Sequence, residues 1–490
     1  MLVLASLGAL TMAGAGCADD SNTHPWQPPK DVPSAVCEPA KSTDCNIVVS
    51  PRGYDAAIGA PDHPVRSLKR ALELVRKGQT IVVKEGTYDS GADDFSEVTV
   101  PDGVTLRGIG NAVIGKASRT ARLKFEGGGE LRDLVLEGTS IFARTGTLRA
   151  TNVKIAGSTG FQLEGNANAI LRQVTIEDVT STAVQLSMDA HLDMDGGAIR
   201  SKPWMSAVTE RDCWKRGGGI TLSNKATTTV SHISIHAPFA LSAGDDSVAA
   251  LTNAEVTQPS NLPKICSRGS AIVAAGKASL TVEDSTVSGA PMDGGWYEGV
   301  SASQSATLKL RRSKIRYAST CLRANEANVA IEDSVLETCE RGASLSESEA
   351  TIVGSTISTN EGSGILVYRG RSTSISGVTI TVGQGSGIET AGDTSLKLRK
   401  SNITGSSSAV QVRDGRADLG TLNDPGLNRI VPLHIWSERE YSHVDAAGNT
   451  WRAGLQGADD RGAYPHVRLE SDSTQRGDNF EIFGRGSIQF

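Results

Sequence analysis

One short phrase recurs through the middle of this chain: a polar residue, then often Ser or Val, then Thr or Lys, then Ile, Val or Leu. Its last residue is Leu136, Ile155, Ile176, Ile199, Ile235, Val256, Val287, Ile315, Leu336, Ile357, Ile380 and Ile403. The successive gaps are 19, 21, 23, 36, 21, 31, 28, 21, 21, 23 and 23 residues. A period near 21–23 with occasional longer steps is that of a solenoid, in which each coil packs on its neighbours and some coils carry inserted loops. With 38% hydrophobic but only 4% aromatic residues, the chain suits a narrow core of Val, Ile, Leu and Ala. A net charge of −6 with both signs mixed excludes a basic nucleic-acid surface and gives no strong steering of anions.

Each coil reads as three short strands. In 182–201, alternation puts Val184, Leu186, Leu192, Met194 and Ile199 inside and Gln185, Asp193 and Ala198 outside. In 385–405 the inner set is Ile388, Leu396, Leu398 and Ile403. Coils built this way stack at about 4.8 Å, so equivalent residues form rows.

Around this repeat the chain divides into a signal peptide at 1–16, a Pro-rich tether at 17–45, a cap at 46–80, the coils at 81–430, and a closing segment and tail at 431–490. Leu2 to Gly16 is apolar but too short to span a bilayer. Ala13-Gly14-Ala15-Gly16-Cys17 resembles a bacterial lipoprotein cleavage site, with Cys17 as the lipidated residue and the lipid as the only membrane contact. The alternative is an ordinary signal peptide cut near Ala15. In the cap, Leu68, Ala71, Leu72 and Val75 are spaced for one face of a short helix ended by Gly78.

Setting Cys17 aside leaves six cysteines. Cys37 and Cys45 are close in a loop-like stretch, Cys213 and Cys266 lie in two inserted loops, and Cys321 and Cys339 fall on neighbouring coils. Three disulfides in an oxidising compartment are expected. A metal site is not, because no CxxC occurs and the eight histidines do not cluster with the cysteines.

After the cap helix come Thr80-Ile81-Val82-Val83-Lys84-Glu85-Gly86-Thr87-Tyr88 and Gly103-Val104-Thr105-Leu106-Arg107-Gly108. This start resembles that of the right-handed parallel β-helix proteins of the pectin-lyase-like superfamily, bacterial exported types in particular, over roughly residues 46–455. The resemblance implies an all-β, right-handed parallel β-helix with an N-terminal capping helix. It does not imply one activity, because enzymes and non-enzymes share the scaffold.

The expected outward row of the first strand is Gln185, Thr221, Ser242, Val273, Ser301, Arg323, Ser344, Leu366, Glu389 and Gln411. Its one carboxylate, Glu389, and its one basic residue, Arg323, sit three coils apart, about 14 Å, so the row lacks the carboxylate pair of a glycosidase. The second row, with Asp193, Thr281, Lys309, Ala330 and Lys397, is equally sparse. Glu283-Asp284, Arg311-Arg312 and Glu332-Asp333 read as a salt ladder across exposed turns. Asp245-Asp246 resembles the aspartate pair of polygalacturonase-like glycosidases, but their Asn-Thr-Asp, Gly-His-Gly and Arg-Ile-Lys are missing, and a turn role is expected. No Arg-x-Pro-x-x-Arg run of the calcium-dependent pectate lyases, no phosphate loop and no HExxH occurs.

The three long steps concentrate the unusual residues. Each insertion is expected between the third strand of one coil and the first strand of the next, so the loops share one edge. They hold Trp204, Glu210, Asp212, Trp214 and Arg216, then Cys266, then Asp293, Trp296, Tyr297 and Glu298. Trp204, Trp214, Trp296 and Tyr297 could stack on sugar faces beside Arg216, or could form a satellite core under the loops. If catalysis occurs, Glu210, Asp212, Asp293 and Glu298 are its candidate carboxylates. The expected protein is a cofactor-free, monomeric cell-envelope scaffold that binds a polysaccharide or a surface protein. A polysaccharide lyase or glycoside hydrolase with a loop-edge site is the alternative.

Overall fold

A computed structural model of the chain describes residues 46–88, 97–116, 120–179, 181–201, 218–259, 269–290, 296–413, 415–421, 423–431, 433–435, 443–445, 449–451 and 466–468. All fall within one unit, Glu38–Phe490. The chain is a β-solenoid: three strands per coil, each hydrogen-bonded in parallel to its counterpart in the next coil. The first strands form a 15-stranded sheet from Val98–Val100 to Leu433–Ile435, and the second and third share a 32-stranded sheet. The strands Asn168–Val179 and His191–Ser201 run through both positions and join the two ladders.

The recurring apolar residue is one continuous row. Leu136 pairs with Ile155, Ile155 with Ile176, and so on coil by coil through Ile403. Ile114 and Ile430 extend it. Every member is fully buried.

The polar residue three positions earlier explains why the phrase exists. Asp133, Asn152, Gln173, Gly196, His232, Asn253, Asp284, Arg312, Asp333, Gly354, Gly377, Lys400 and Leu427 all have left-handed backbones, with φ from 44° at Arg312 to 72° at Gly196. One such residue turns the chain from the second strand into the third. Gly, Asn and Asp tolerate that conformation best, hence the polar bias.

Between that residue and the apolar row lies a buried position, held by Leu134, Val153, Val174, Ile233 and Ala254 in earlier coils. From Ser285 onward it is mostly serine, and the hydroxyls form a ladder. Ser313 Oγ accepts the N–H of Ser285 at 3.1 Å, Ser334 Oγ that of Ser313 at 3.2 Å, and Ser355 Oγ that of Ser334 at 3.1 Å. Each of these hydroxyls donates to the carbonyl two residues before it. Further on, Ser401 N–H donates to Asn428 Oδ1 and Asn428 N–H to Asn449 Oδ1. The ladder supplies partners for corner amides that face neither water nor a strand.

The inner sets expected for 182–201 and 385–405 are all buried, but Ala198, expected outside, is also buried. A helix spans Leu68–Leu74, N-capped by the Ser67 hydroxyl, with Leu68, Ala71 and Leu72 buried. It stops before Gly78, because Val75 is already extended at ψ 144°; Gly78 serves the following turn at φ 80°. The ladders also outrun the expected 81–430. Ile47–Val49 pairs with Ile81–Val83, and pairing continues to His466–Arg468 although the apolar repeat has faded. Backbone hydrogen bonds carry the stack where side-chain patterning is weak.

Cys321 and Cys339 form a disulfide between neighbouring coils, with Cα atoms 5.7 Å apart. The pairs Cys37/Cys45 and Cys213/Cys266, and Cys17, lie outside the described residues.

Candidate functional site

The first ladder presents the most regular outer surface. Its pairing reproduces the expected row from Gln185 to Gln411 residue for residue. It also extends the row upstream through Gln162 and Phe142 to Lys124 and Thr99. Glu389 is the one carboxylate among the described residues of this row. Ser363 Oγ donates to it at 2.7 Å and Arg413 pairs with it at 3.2 Å.

The expected loop-edge residues fall into two groups. Trp204, Glu210, Asp212, Trp214, Arg216 and Asp293 lie outside the described residues. Trp296, Tyr297 and Glu298 are described, and they are strand residues, part of Trp296–Ser303 in the first ladder. Trp296 is 0% exposed and its indole N–H donates to the Pro238 carbonyl at 2.6 Å. A ring closed over on all sides cannot stack on a sugar, so Trp296 leaves the ligand-binding set and joins the core. Tyr297 is exposed.

Glu298 has a side chain only 12% exposed. Arg323 Nη1 donates to its Oε1 at 2.9 Å and Ser270 Oγ to its Oε2 at 2.6 Å, with Ser301 Oγ hydrogen-bonded to Ser270 at 3.0 Å. Four side chains from three successive coils thus converge on first-ladder strands, two of which, Ser270–Ala274 and Trp296–Ser303, follow the second and third insertions in the sequence.

The turn charges behave as structure. Arg311 reaches Glu332 at 3.0 Å and Glu283 at 3.7 Å, while Arg312 grips Asp284 at 2.8 Å and also meets Glu283. The Arg312 hydrogen bond holds the Asp284 carboxyl below the usual range. Asp245 has a left-handed backbone at φ 57° and accepts the N–H of Asn224, which is a turn role.

Towards the N-terminal end, the same outer face hollows into a groove of about 600 Å³. Glu97, Arg122, Lys124, Glu126, Phe142 and Arg144 line it. Glu97 is shared by Arg122 at 3.5 Å and Lys124 at 3.9 Å, and the Arg122 guanidinium lies 5.5 Å from the centre of the Phe142 ring. Sequence reasoning missed these residues because their charges follow no motif. Carrying the outward row back from Gln185 by the coil period is the signal that reaches Phe142 and Lys124.

Two family models match the chain. Residues 252–424 match one described as periplasmic copper-binding protein (NosD), and residues 51–234 one described as a protein of unknown function, DUF1565. The chain is a parallel β-helix with a NosD-like and a DUF1565-like segment. Curated proteins offer no match. Among solved structures, the Dettilon tailspike protein (gp208) shares 10% identity over 80% of this chain and 62% of its own, with a TM-score of 0.32. This chain therefore spans under two thirds of that protein. The Azotobacter vinelandii mannuronan C-5 epimerase AlgE6 A-module shares 13% over 79% and 95% (TM-score 0.26). The periplasmic alginate epimerase AlgG shares 9% over 80% and 85% (TM-score 0.25).

Proposed function

We propose that this NosD-like β-helix is an extracytoplasmic scaffold that binds a glycan along the outer face of its first ladder without cleaving it. The observation that carries this reading is the row itself: Gln, Thr and Ser at Gln185, Thr221, Ser242, Ser301, Ser344 and Gln411, interrupted by Val273, Arg323 and Leu366, with one carboxylate, Glu389, already committed to Arg413 and Ser363. Such a row offers hydroxyl or amide groups at most coils but no pair of carboxylates for acid–base work. The Cys321–Cys339 disulfide and the periplasmic description of the matched model favour a site outside the cytoplasm. A right-handed coil, a capping role for the helix, a lipid at Cys17 and a monomeric state complete the reading.

Copper, named in the description of the matched model, does not fit the residues present. Residues 252–424 contain no histidine, one methionine (Met292) and three cysteines, two of them joined as Cys321–Cys339. Among the described residues no three His, Cys, Asp or Glu side chains gather as a metal site. Among the described residues of that segment, the imidazole and thiolate or thioether donors that copper prefers are therefore not assembled.

The alternative is a lyase or hydrolase at the loop edge. It is favoured by one feature, the largely buried Glu298 held by Arg323 beside the inserted loops. A glycan array followed by product analysis separates the two readings. Retention with no shortened product is expected. New reducing ends or unsaturated products that vanish in Glu298→Gln would replace the scaffold with the enzyme.

A further inference from the structure

We propose that the groove between Glu97 and Arg144 is a subsite for an acidic polysaccharide lying along the coil axis. This rests on the glycan-binding reading of the first-ladder face and deepens it. The groove has room for a few sugar rings; its 600 Å³ falls within the range of about 300–1,000 Å³ usual for small-ligand sites. Three cations, Arg122, Lys124 and Arg144, face two carboxylates, Glu97 and Glu126.

The cations keep donors in reserve. Arg122 and Lys124 share the single carboxylate of Glu97, at 3.5 and 3.9 Å, beyond good hydrogen-bond length. Arg144 has no ion pair among the described residues and is exposed. A guanidinium carries five N–H donors and an ammonium three, and both bind carboxylates well. Phe142 adds one apolar ring next to Lys124 in the row.

Two further observations choose a polymer of acidic sugars over other anionic partners. From the groove the row continues as Gln162, Gln185, Thr221 and Ser242, uncharged groups that suit sugar hydroxyls. Their spacing is the coil spacing, about 4.8 Å, which is close to the length of one ring of an extended glycan. A protein partner would instead want an apolar patch with several aromatic anchors; of the two phenylalanines lining the groove, Phe125 is buried and only the half-buried Phe142 reaches the surface.

Calorimetric titration of the full chain with uronate oligomers, and with a neutral cello-oligosaccharide of equal length, tests the proposal. The wild type should bind an acidic oligomer, more weakly as salt is raised, and prefer it to the neutral one. The double variant Lys124→Gln/Arg144→Gln should bind at least tenfold more weakly with an unchanged thermal midpoint. Lys309→Gln, on the second ladder, should bind as the wild type does. Equal affinity in the double variant would overturn the groove while leaving the glycan-binding face intact. Preference for the neutral oligomer would overturn the acidic class. Failure to bind any glycan on an array would sink both this proposal and the scaffold reading.

Discussion

Leu427 shows how much one backbone conformation governs this sequence. It occupies the left-handed column, at φ 53°, where other coils place Asp133, Asn152, Asn253 or Gly354, and it is well exposed. An L-residue with a bulky side chain is strained there by roughly 1 kcal/mol. Leu427→Asn should therefore stabilise the chain by about 0.5–1 kcal/mol, read as a higher denaturation midpoint; an unchanged or lower midpoint would count against the account of the phrase. The polar bias at this position is visible in the sequence, but its cause is not, because composition does not reveal φ. Trp296 is the opposite case. Its neighbours in a Gly-, Asp- and Glu-rich insertion make it look like a loop aromatic, yet it closes over the core and bonds Pro238. No local pattern betrays a contact across 58 residues.

Strands and ladders are the scale at which the sequence is most readable. Alternation in one coil and a constant step between coils determine which side chains are neighbours, so the outward row from Gln185 to Gln411 follows from spacing alone. Cys321 and Cys339, 18 residues apart, are legible for the same reason. The serine ladder is half legible: the recurring Ser is part of the phrase, but its hydrogen bonds to corner amides depend on a turn geometry that spacing does not encode. Ser334→Ala tests it. The substitution leaves the buried N–H of Ser313 without its acceptor, and should cost about 1–3 kcal/mol by chemical denaturation. A loss under about 0.5 kcal/mol, the level of an ordinary surface change, would show that the ladder adds nothing to stability.

For the whole molecule, the clearest electrostatic consequence concerns acid. Hydrogen bonds from Arg399 and then Lys397 hold the Asp424 carboxyl far below its ordinary range. Bonds from Lys77 and Gly128 lower Asp102, and bonds from His232 and Ser231 lower Asp195. A carboxylate whose folded value is depressed contributes stability that is complete above its unfolded value, near 3.9, and disappears as pH falls through the folded one. The thermal midpoint should thus hold from neutral pH to about 5 and decline below about 4. In Asp424→Asn the decline should be shallower, and an identical acid profile would contradict the role given to that group. The sites where function is proposed are the least legible part. The groove at Arg122, Lys124 and Arg144 draws on two neighbouring coils and has no sequence signature, whereas the conspicuous insertions supply only Glu298 and Tyr297 to the described surface.

The column of left-handed residues has one more consequence. Because the coils repeat the same left-handed corner between second and third strands and stack in one register from Leu136 to Ile403, a coil is a unit that can be copied or lost whole. Removing residues 235–255, one 21-residue step, would bring Val256 to the place Ile235 held and leave both flanks in phase. Such a molecule can change the length of its outer face by arithmetic on coils, while the residues at either end of the row keep their chemistry.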